Sequence, residues 1–409
     1  MTRNIIVIGA GFGDEGKGHM VDYFASLYPR AINVRFNGGA QAGHTVCTDS
    51  LSQFIFGHLG AGTLAGLPTY LDKHFIVNPM LFRKEWDKLL TLGFILPPKV
   101  TIHPDCIITT PYDMMINQFI ENHRGKKNNR HGSCGVGIYQ TLQRNYELDG
   151  FFKFCFYDLN SNRTKMARII KAISRYYYPV LMVENDITLN EEQIEFYTSD
   201  TVLLNYLNDI DFLLQHSQSG SHEDTGNHHD DVIWEGAQGL LLDQNNLKFW
   251  PHLTPSHTGL SYVMDQIIDD ENEQHPVEIV YTTRCYLTRH GIGPLPYEQD
   301  ISDYVNVNDS TNIENEWQGK LRFAPLNLPL LKEAILNDLK YIKGKRHTIS
   351  LAITCLDQLT GGNVKFIDGI GVLNVCSKSE LFDILKRNTG ASKLYLSYGP
   401  NRKSILDFP

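Results

Sequence analysis

The chain has 409 residues, of which 42% are hydrophobic and 20% charged, the composition of an ordinary globular protein. At ~150 residues per domain, this length suits two or three modules or one large enzyme domain. The 37 basic residues are outnumbered by 46 acidic ones, for a formal net charge of −9, which counts against mass-action binding to a nucleic-acid backbone. No apolar run approaches the ~18–20 residues that a membrane-spanning helix needs.

The opening MTRNIIVIGAGFG has too short an apolar run for a signal peptide and passes directly into turn residues, so it reads as mature structure. Short apolar, β-rich runs follow at Asn4–Gly9, Ile32–Phe36, Pro179–Glu184, Asp231–Glu235, Val277–Thr283, His347–Thr354 and Lys393–Ser397. Helical periodicity lies between many of them, as at Val202–Leu214 and Leu328–Leu339. Strands alternating with helices predict an α/β protein with a mostly parallel central sheet and helices on its faces. The basic tract Arg124–Arg130 reads as a solvated loop, with a phosphate contact as the second reading. The polar segment His216–Asp231 reads as a surface loop, because its histidines and carboxylates match no standard metal-ligand spacing. Seven dispersed cysteines without a CxxC pair suit a reducing, cytoplasmic setting.

The stretch NIIVIGAGFGDEGKGHMVDYF is the most informative. An apolar strand enters a glycine-rich turn and then a helical pattern. Gly11 to Gly16 fits GxGxxG, and Gly11-xxxx-Gly16-Lys17 is Walker-like, with Gly18 where a magnesium-binding Ser or Thr would stand. Either pattern lets backbone N–H groups approach phosphate oxygens at a helix N-terminus. Asp14 can supply the missing magnesium oxygen, and Lys17 can neutralise phosphate charge. A second glycine-rich loop, Asn37-Gly-Gly-Ala-Gln-Ala-Gly-His-Thr45, follows the second strand, where α/β ligand sites form. Its histidine can donate a proton or hydrogen bond to a transferring phosphoryl group.

Together, Gly13–Gly18 (GDEGKG) and Ala42–Thr45 (AGHT) resemble adenylosuccinate synthetase. The resemblance continues in order through Glu235-Gly-Ala-Gln-Gly-Leu-Leu-Leu-Asp243, Trp250-Pro-His-Leu-Thr254, Thr288-Arg-His-Gly-Ile-Gly-Pro294, Thr354-Cys-Leu-Asp357 and Ser397-Tyr-Gly-Pro-Asn401. It implies one large α/β domain over residues 1–409 with a P-loop-like phosphate loop and added subdomains, including a helical and loop insert at about 85–180. The implied activity is a GTP- and Mg2+-dependent ligation of aspartate to IMP through a 6-phosphoryl intermediate, in a cytoplasmic homodimer acting on small molecules.

The resemblance assigns Asp14 as the base that removes the purine N1 proton and as a magnesium ligand. It assigns His44 to the γ-phosphoryl in flight and Gln238 to the purine 6-oxygen. The Gly43 carbonyl is the second protein contact to magnesium. Gly13, Asp14, Glu15, Gly16, Lys17, Gly18 and His19 would cradle GTP with Gly43, His44 and Thr45. Asp357 would read guanine by accepting from N1–H and N2–H, with Ser397 and Gly399 closing over the base. Asp14, Lys17, Gln41, Gln238 and Thr254 match contacts to the substrate nucleotide, and Arg144 lies nearest the arginine that reaches its phosphate from a neighbouring subunit.

Some positions depart from the family pattern. The arginine-rich aspartate loop is reduced to Glu316–Asn327, where Lys320 and Arg322 are the cations. Arginine makes bidentate carboxylate contacts that lysine does not, so another amine donor stays open. His131–Gly137 replaces a Thr- and Arg-containing loop that binds the IMP phosphate. Cys355, Asn401 and His19 replace a lysine, an aspartate and a lysine. The phage-type branch acts on dGMP, so another purine nucleotide such as (d)GMP stays open too, though Asp14 is retained here. An NAD(P)-dependent oxidoreductase built on GxGxxG is the rival class. It expects an acidic residue after the second strand, whereas Arg35-Phe36-Asn37 stands there, with Arg35 suited to a 2′-phosphate. A catalytically silent nucleotide-binding protein is the third reading.

Overall fold

The computed structural model describes residues 3–50, 52–93, 100–126, 133–221, 231–267, 277–309, 311–312, 319–342, 344 and 346–409. β1 (Arg3–Gly9) ends in the glycine turn from which α1 (Lys17–Leu27) starts. β2 (Ile32–Arg35) leads into the second loop, then to a hairpin of β3 (His44–Cys47) and β4 (Gln53–Phe56), and to β5 (Thr69–Leu71). A mainly helical stretch follows. It holds α2 (Pro79–Thr91), the short strand β6 (Val100–Ile102), α3 (Pro111–Lys126) and α4 (Ile138–Tyr146). It continues with α5 (Arg163–Ala172), α6 (Tyr178–Glu184), α7 (Glu191–Thr198) and α8 (Asp200–His216), which runs directly into β7 (Ser217–Ser219).

The chain then returns to the centre with β8 (Asp231–Gly239), β9 (Val277–Arg284) and β10 (Tyr286–Arg289). It closes with β11 (Arg322–Asn327), α9 (Leu328–Asp338), β12 (His347–Thr354), β13 (Asn363–Ile367), β14 (Leu373–Ser377), α10 (Lys378–Thr389), β15 (Lys393–Ser397) and β16 (Ile405–Phe408).

Among the described residues, the main sheet has ten strands in the order β16-β15-β12-β9-β1-β8-β2-β5-β6-β7. All neighbours are parallel except the edge pair β15/β16. This is the expected α/β architecture. β1 shows why it needs helices on both sides: Ile5 and Val7 join one core, Ile6 and Ile8 the other, and all four are fully buried. A smaller four-stranded sheet, β10-β11-β13-β14, stands beside it.

Parallel strands bring their C-terminal ends to one edge, and both glycine-rich loops emerge there. Between β1 and β8 the register breaks: Val7 pairs with Glu235 but Gly9 pairs with Gly239. The extra residues bulge the end of β8 and leave Gln238 with a left-handed φ of +63°.

One expected strand is a helix. Pro179–Glu184 lies in α6, with Tyr178, Leu181 and Met182 buried and Val180 and Val183 exposed, a helical rather than a period-2 pattern. Pro179 is tolerated because it stands in the first turn. The expected loop at His216–Asp231 carries regular structure at its two ends: His216 ends α8, Ser217–Ser219 pairs with β6 and Asp231 opens β8, while 222–230 lie outside the described residues. Arg124 belongs to α3, and residues 127–132 lie outside the described set.

Candidate active site

A cavity of about 340 Å³ opens at the C-terminal edge of the sheet, between the two glycine-rich loops. Gly13, Asp14, Gly16, Lys17 and Gly18 line it from the first loop, Gln41, Gly43, His44 and Thr45 from the second, and Gln238 from the β8 bulge. Sequence positions more than 200 apart thus meet in one place because β1, β2 and β8 are adjacent.

The first loop is organised by its own acid. The Glu15 carboxylate accepts hydrogen bonds from the N–H groups of Gly11 (2.9 Å) and Gly13 (2.8 Å) and pairs with Lys17 Nζ at 3.2 Å. It fills the anion hole of the turn, so Glu15 shapes the loop and does not face the cavity. Lys17 is buried but reaches the cavity wall, and Asp14, with φ +59°, keeps its carboxylate partly exposed there.

His44 is backed by Glu235, which the sequence reading quoted in its motif but assigned no role. His44 Nδ1 is hydrogen-bonded to Glu235 Oε1. Glu235 Oε2 accepts from Ala61 N–H at 3.0 Å, and Arg35 Nε lies 3.9 Å from the same carboxylate. Burial would raise the Glu235 pKa, but the Arg35 charge and the hydrogen bonds from His44 and the Ala61 N–H hold it down to about 2. Burial, reinforced by the Arg35 charge, holds His44 down to about 4 despite Glu235. The ring is therefore neutral at neutral pH, with Nδ1–H donating to an ionised carboxylate and Nε2 free of that bond. The signal available in the sequence was a single carboxylate ending the apolar run Val232-Ile-Trp-Glu235. Arg35 is fully buried, donating to Leu59 and Ala42 carbonyls, which removes it as a partner for a cofactor 2′-phosphate.

The opposite wall comes from residues that sequence reasoning missed. Arg284, at the end of β9, and His290, Thr311 and Asn312 line the cavity. His290 Nε2 lies 3.9 Å from the Asp14 carboxylate. Arg284 is buried and paired with Asp309 at 2.7 Å.

Other expected site residues lie outside this cavity. Burial lowers the pKa of His19 to about 4, and its Nε2 is 3.0 Å from Ser397 Oγ, which also donates to Gly399 O. Asp357 is exposed in a short turn after β12. Thr254 is half-buried and its N–H donates to Leu242 O. Arg322 does not face a ligand: it donates to Glu298 (2.6 Å) and to the Gly291 (2.7 Å) and Gly293 carbonyls, bracing the Thr288–Pro294 loop. Lys320 is exposed. Arg144 must be corrected. It is fully buried in α4, fork-bonded to Asp113 at 2.9 and 3.0 Å and donating to Phe152 and Ile108 carbonyls, so it cannot reach a nucleotide in a neighbouring subunit.

The donor set suits magnesium held largely by substrate. Among the described residues, no three His, Cys, Asp or Glu side chains gather as a metal cluster. Asp14 offers one carboxylate and Gly43 a backbone carbonyl, which fits an ion that usually takes one or two protein oxygens beside phosphates and water. Among the described residues, no helix is long and apolar enough to cross a membrane.

The adenylosuccinate synthetase family model matches residues 6–364. The adenylosuccinate synthetase of Blochmanniella pennsylvanica is 30% identical over 326 residues, 75% of this chain and 68% of that protein. That of Desulfosudis oleivorans is 29% identical over 363 residues, 88% and 78% of the two chains. In fold, the chain is similar to the fully ligated adenylosuccinate synthetase from Plasmodium falciparum, with a TM-score of 0.67, 19% identity and 99% of each chain covered. It is also similar to the cyanophage S-2L succinoaminodeoxyadenylate synthetase bound to dGMP and dATP, with a TM-score of 0.63, 12% identity and 100% and 96% covered. The chain belongs to the adenylosuccinate synthetase family, ligases that use GTP and Mg2+ to form a carbon–nitrogen bond.

Proposed function

We propose that this enzyme joins L-aspartate to IMP at purine C6, hydrolysing GTP to GDP and phosphate. The supporting observation is the convergence of Asp14, Lys17, His44 and Gln238 on one cavity, with His44 oriented by a buried Glu235. Asp14 removes the N1 proton. The C6 oxygen attacks the γ-phosphorus, the bond to the β-phosphate oxygen breaks, and GDP leaves. The aspartate amine then bonds to C6, the 6-phosphoryl group departs as phosphate, and the amine loses its proton. Gln238 holds the 6-oxygen, Lys17 neutralises phosphate charge, and His44, once the charge of the bound phosphates has drawn a proton onto Nε2, donates from that nitrogen to the transferring group. Such phosphoryl transfer rests on positioning and charge rather than on covalent help. Magnesium, held by Asp14 and the Gly43 carbonyl, would neutralise charge on the phosphates. Asp357, Ser397 and Gly399 are assigned to the guanine.

A second reading changes the acceptor or the amine while keeping the phosphoryl chemistry. It is favoured by Arg322, whose guanidinium is already taken up by Glu298 and two backbone carbonyls. We also propose one domain over 1–409 and a cytoplasmic homodimer. The apolar side chains of Tyr146 (74% exposed), Phe151 (80%) and Val183 (78%) in the helical stretch support the dimer, which sedimentation would test. The deciding experiment follows phosphate release from GTP and Mg2+ with IMP, GMP or dGMP, with and without aspartate. Release that needs both IMP and aspartate is expected. Release with dGMP or without aspartate would replace this reading by the second.

A further inference from the structure

We propose that Arg284 and Thr354 are positioning residues that lock the peptide planes of the phosphate loop, with Asp309 holding Arg284 in place. The inference rests on the reading that this loop binds a nucleoside triphosphate. Arg284 ends β9 and Thr354 ends β12, the two strands next to β1 on one side. Arg284 Nε donates to the Asp14 carbonyl at 2.6 Å, and Thr354 Oγ1 donates to the next carbonyl, that of Glu15, at 2.9 Å. In a trans peptide, the carbonyl and the following N–H point in opposite directions. Fixing these two carbonyls therefore fixes the N–H groups of Glu15 and Gly16, turned away from the clamps.

The loop needs such a clamp. Asp14 holds a left-handed φ of +59°, costly for a residue with a side chain, and Gly13 and Gly16 on either side are at +90° and +89°. Glycine turns are free to rotate their peptides, and an anion cradle works best when its dipoles need no reorganisation. Arg284 is itself held on three sides. Nη2 pairs with Asp309 at 2.7 Å and Nη1 donates to Tyr286 Oη at 3.1 Å, leaving Nε for Asp14. Asp309 also accepts from Thr311 and Asn312, which line the cavity, so the same carboxylate joins the clamp to the opposite wall.

The test uses the full chain with R284M, R284K, T354V and D309N, and reads magnesium–GDP affinity, kcat, KM for GTP and thermal midpoint. The bond from a charged donor to a carbonyl is of the strength that changes binding by about tenfold or more when lost. R284M is expected to weaken GDP at least about tenfold and to lower kcat at saturating GTP, since Asp14 rides on the same peptide. R284K keeps the charge but lacks the three-way fork, so it should restore less than half of the logarithmic loss. T354V, nearly isosteric, should weaken GDP with no matching fall in thermal midpoint. D309N should follow R284K. Wild-type GDP affinity in both R284K and T354V would overturn the proposal, and these two decide it if R284M does not fold. A wild type that binds GDP but does not ligate IMP would overturn the acceptor assignment and leave this inference standing. A wild type that does not bind GDP would overturn both.

Discussion

His44 and Glu235 lie 191 positions apart and share a buried hydrogen bond from imidazole Nδ1 to carboxylate Oε1. The bond selects the tautomer and aims the second ring nitrogen. Glu235 stays ionised in a place with no solvent exposure because Arg35 stands below it and the Ala61 N–H caps its second oxygen. A charged group so deeply placed, with each oxygen engaged, acts on the ring beside it and not on a ligand.

Glu235→Gln is therefore expected to lower kcat by roughly 10–100-fold while leaving GDP binding near the wild-type value. Replacing His44 by Asn should cost about 10²–10³-fold, the range for losing a donor to a transition-state charge. Since Glu235 acts through His44, the double variant should be no slower than H44N alone. A steady-state double-mutant cycle checks this, and multiplicative losses would show that Glu235 has a separate role.

A second expectation concerns His19, buried beside Ser397 and held down to about 4 by desolvation. In the unfolded chain its pKa returns to about 6.5. Between these values the unfolded state binds the proton and the folded state does not, so stability falls as pH drops from about 6.5 to 4. His19→Gln removes that proton and keeps a partner for Ser397. The slope of unfolding free energy against pH should flatten by up to about 1.4 kcal/mol per pH unit in this window. Denaturant titrations at pH 7, 6, 5 and 4.5 measure it, and an unchanged slope would contradict the assignment.

The parts of the site that could be read from sequence are those whose chemistry is local. The glycine turn with Asp14 and Lys17, the loop with His44 and the run holding Gln238 each carry their own residues at a strand end, and parallel pairing brings them together. Long-range partners leave no such mark. Arg284 meets the Asp14 carbonyl across 270 positions, and nothing beside Arg284 in the sequence announces it. Arg144 misled for the same reason: its cation looked available until Asp113, 31 residues away, proved to hold it. Pro179–Glu184 failed differently, because a short apolar run has the same composition in a buried strand and in one face of a helix. Glu15, read as a phosphate contact, turns back onto its own loop, which a motif cannot reveal.

Arg144 gives a third prediction. Its guanidinium satisfies Asp113 and two carbonyls in a fully buried position. Arg144→Met leaves the carboxylate buried without its ion partner, though Thr110 N–H and Tyr178 Oη still reach it. Breaking such a pair costs about 3–5 kcal/mol. The folded fraction should keep the wild-type KM for the acceptor nucleotide, since Arg144 does not line the cavity of the site. A raised KM with unchanged stability would return Arg144 to the site.

Gly239 sets the tightest steric limit in the cradle. Its φ of −139° is extended and open to any residue, so conformation alone would tolerate alanine. The constraint is approach: a Cβ there would run into the Gly11 carbonyl oxygen and lie 2.7 Å from the Gly13 nitrogen, both backbone atoms of the phosphate loop. No side-chain rotation can relieve the contact, so the loop or the β8 bulge must move. Gly390, the left-handed cap of α10, presents the opposite case, with φ +72° and nothing within 4 Å of an added Cβ. Gly390→Ala should cost about 1 kcal/mol of stability and leave kinetics intact. Gly239→Ala should weaken GDP binding more than about tenfold, because a shift of ~1 Å in a positioned site costs that much or more. Calorimetric titration with GDP beside thermal unfolding separates the two, and equal GDP affinities would mean that the bulge and the loop can part without harm to the cradle.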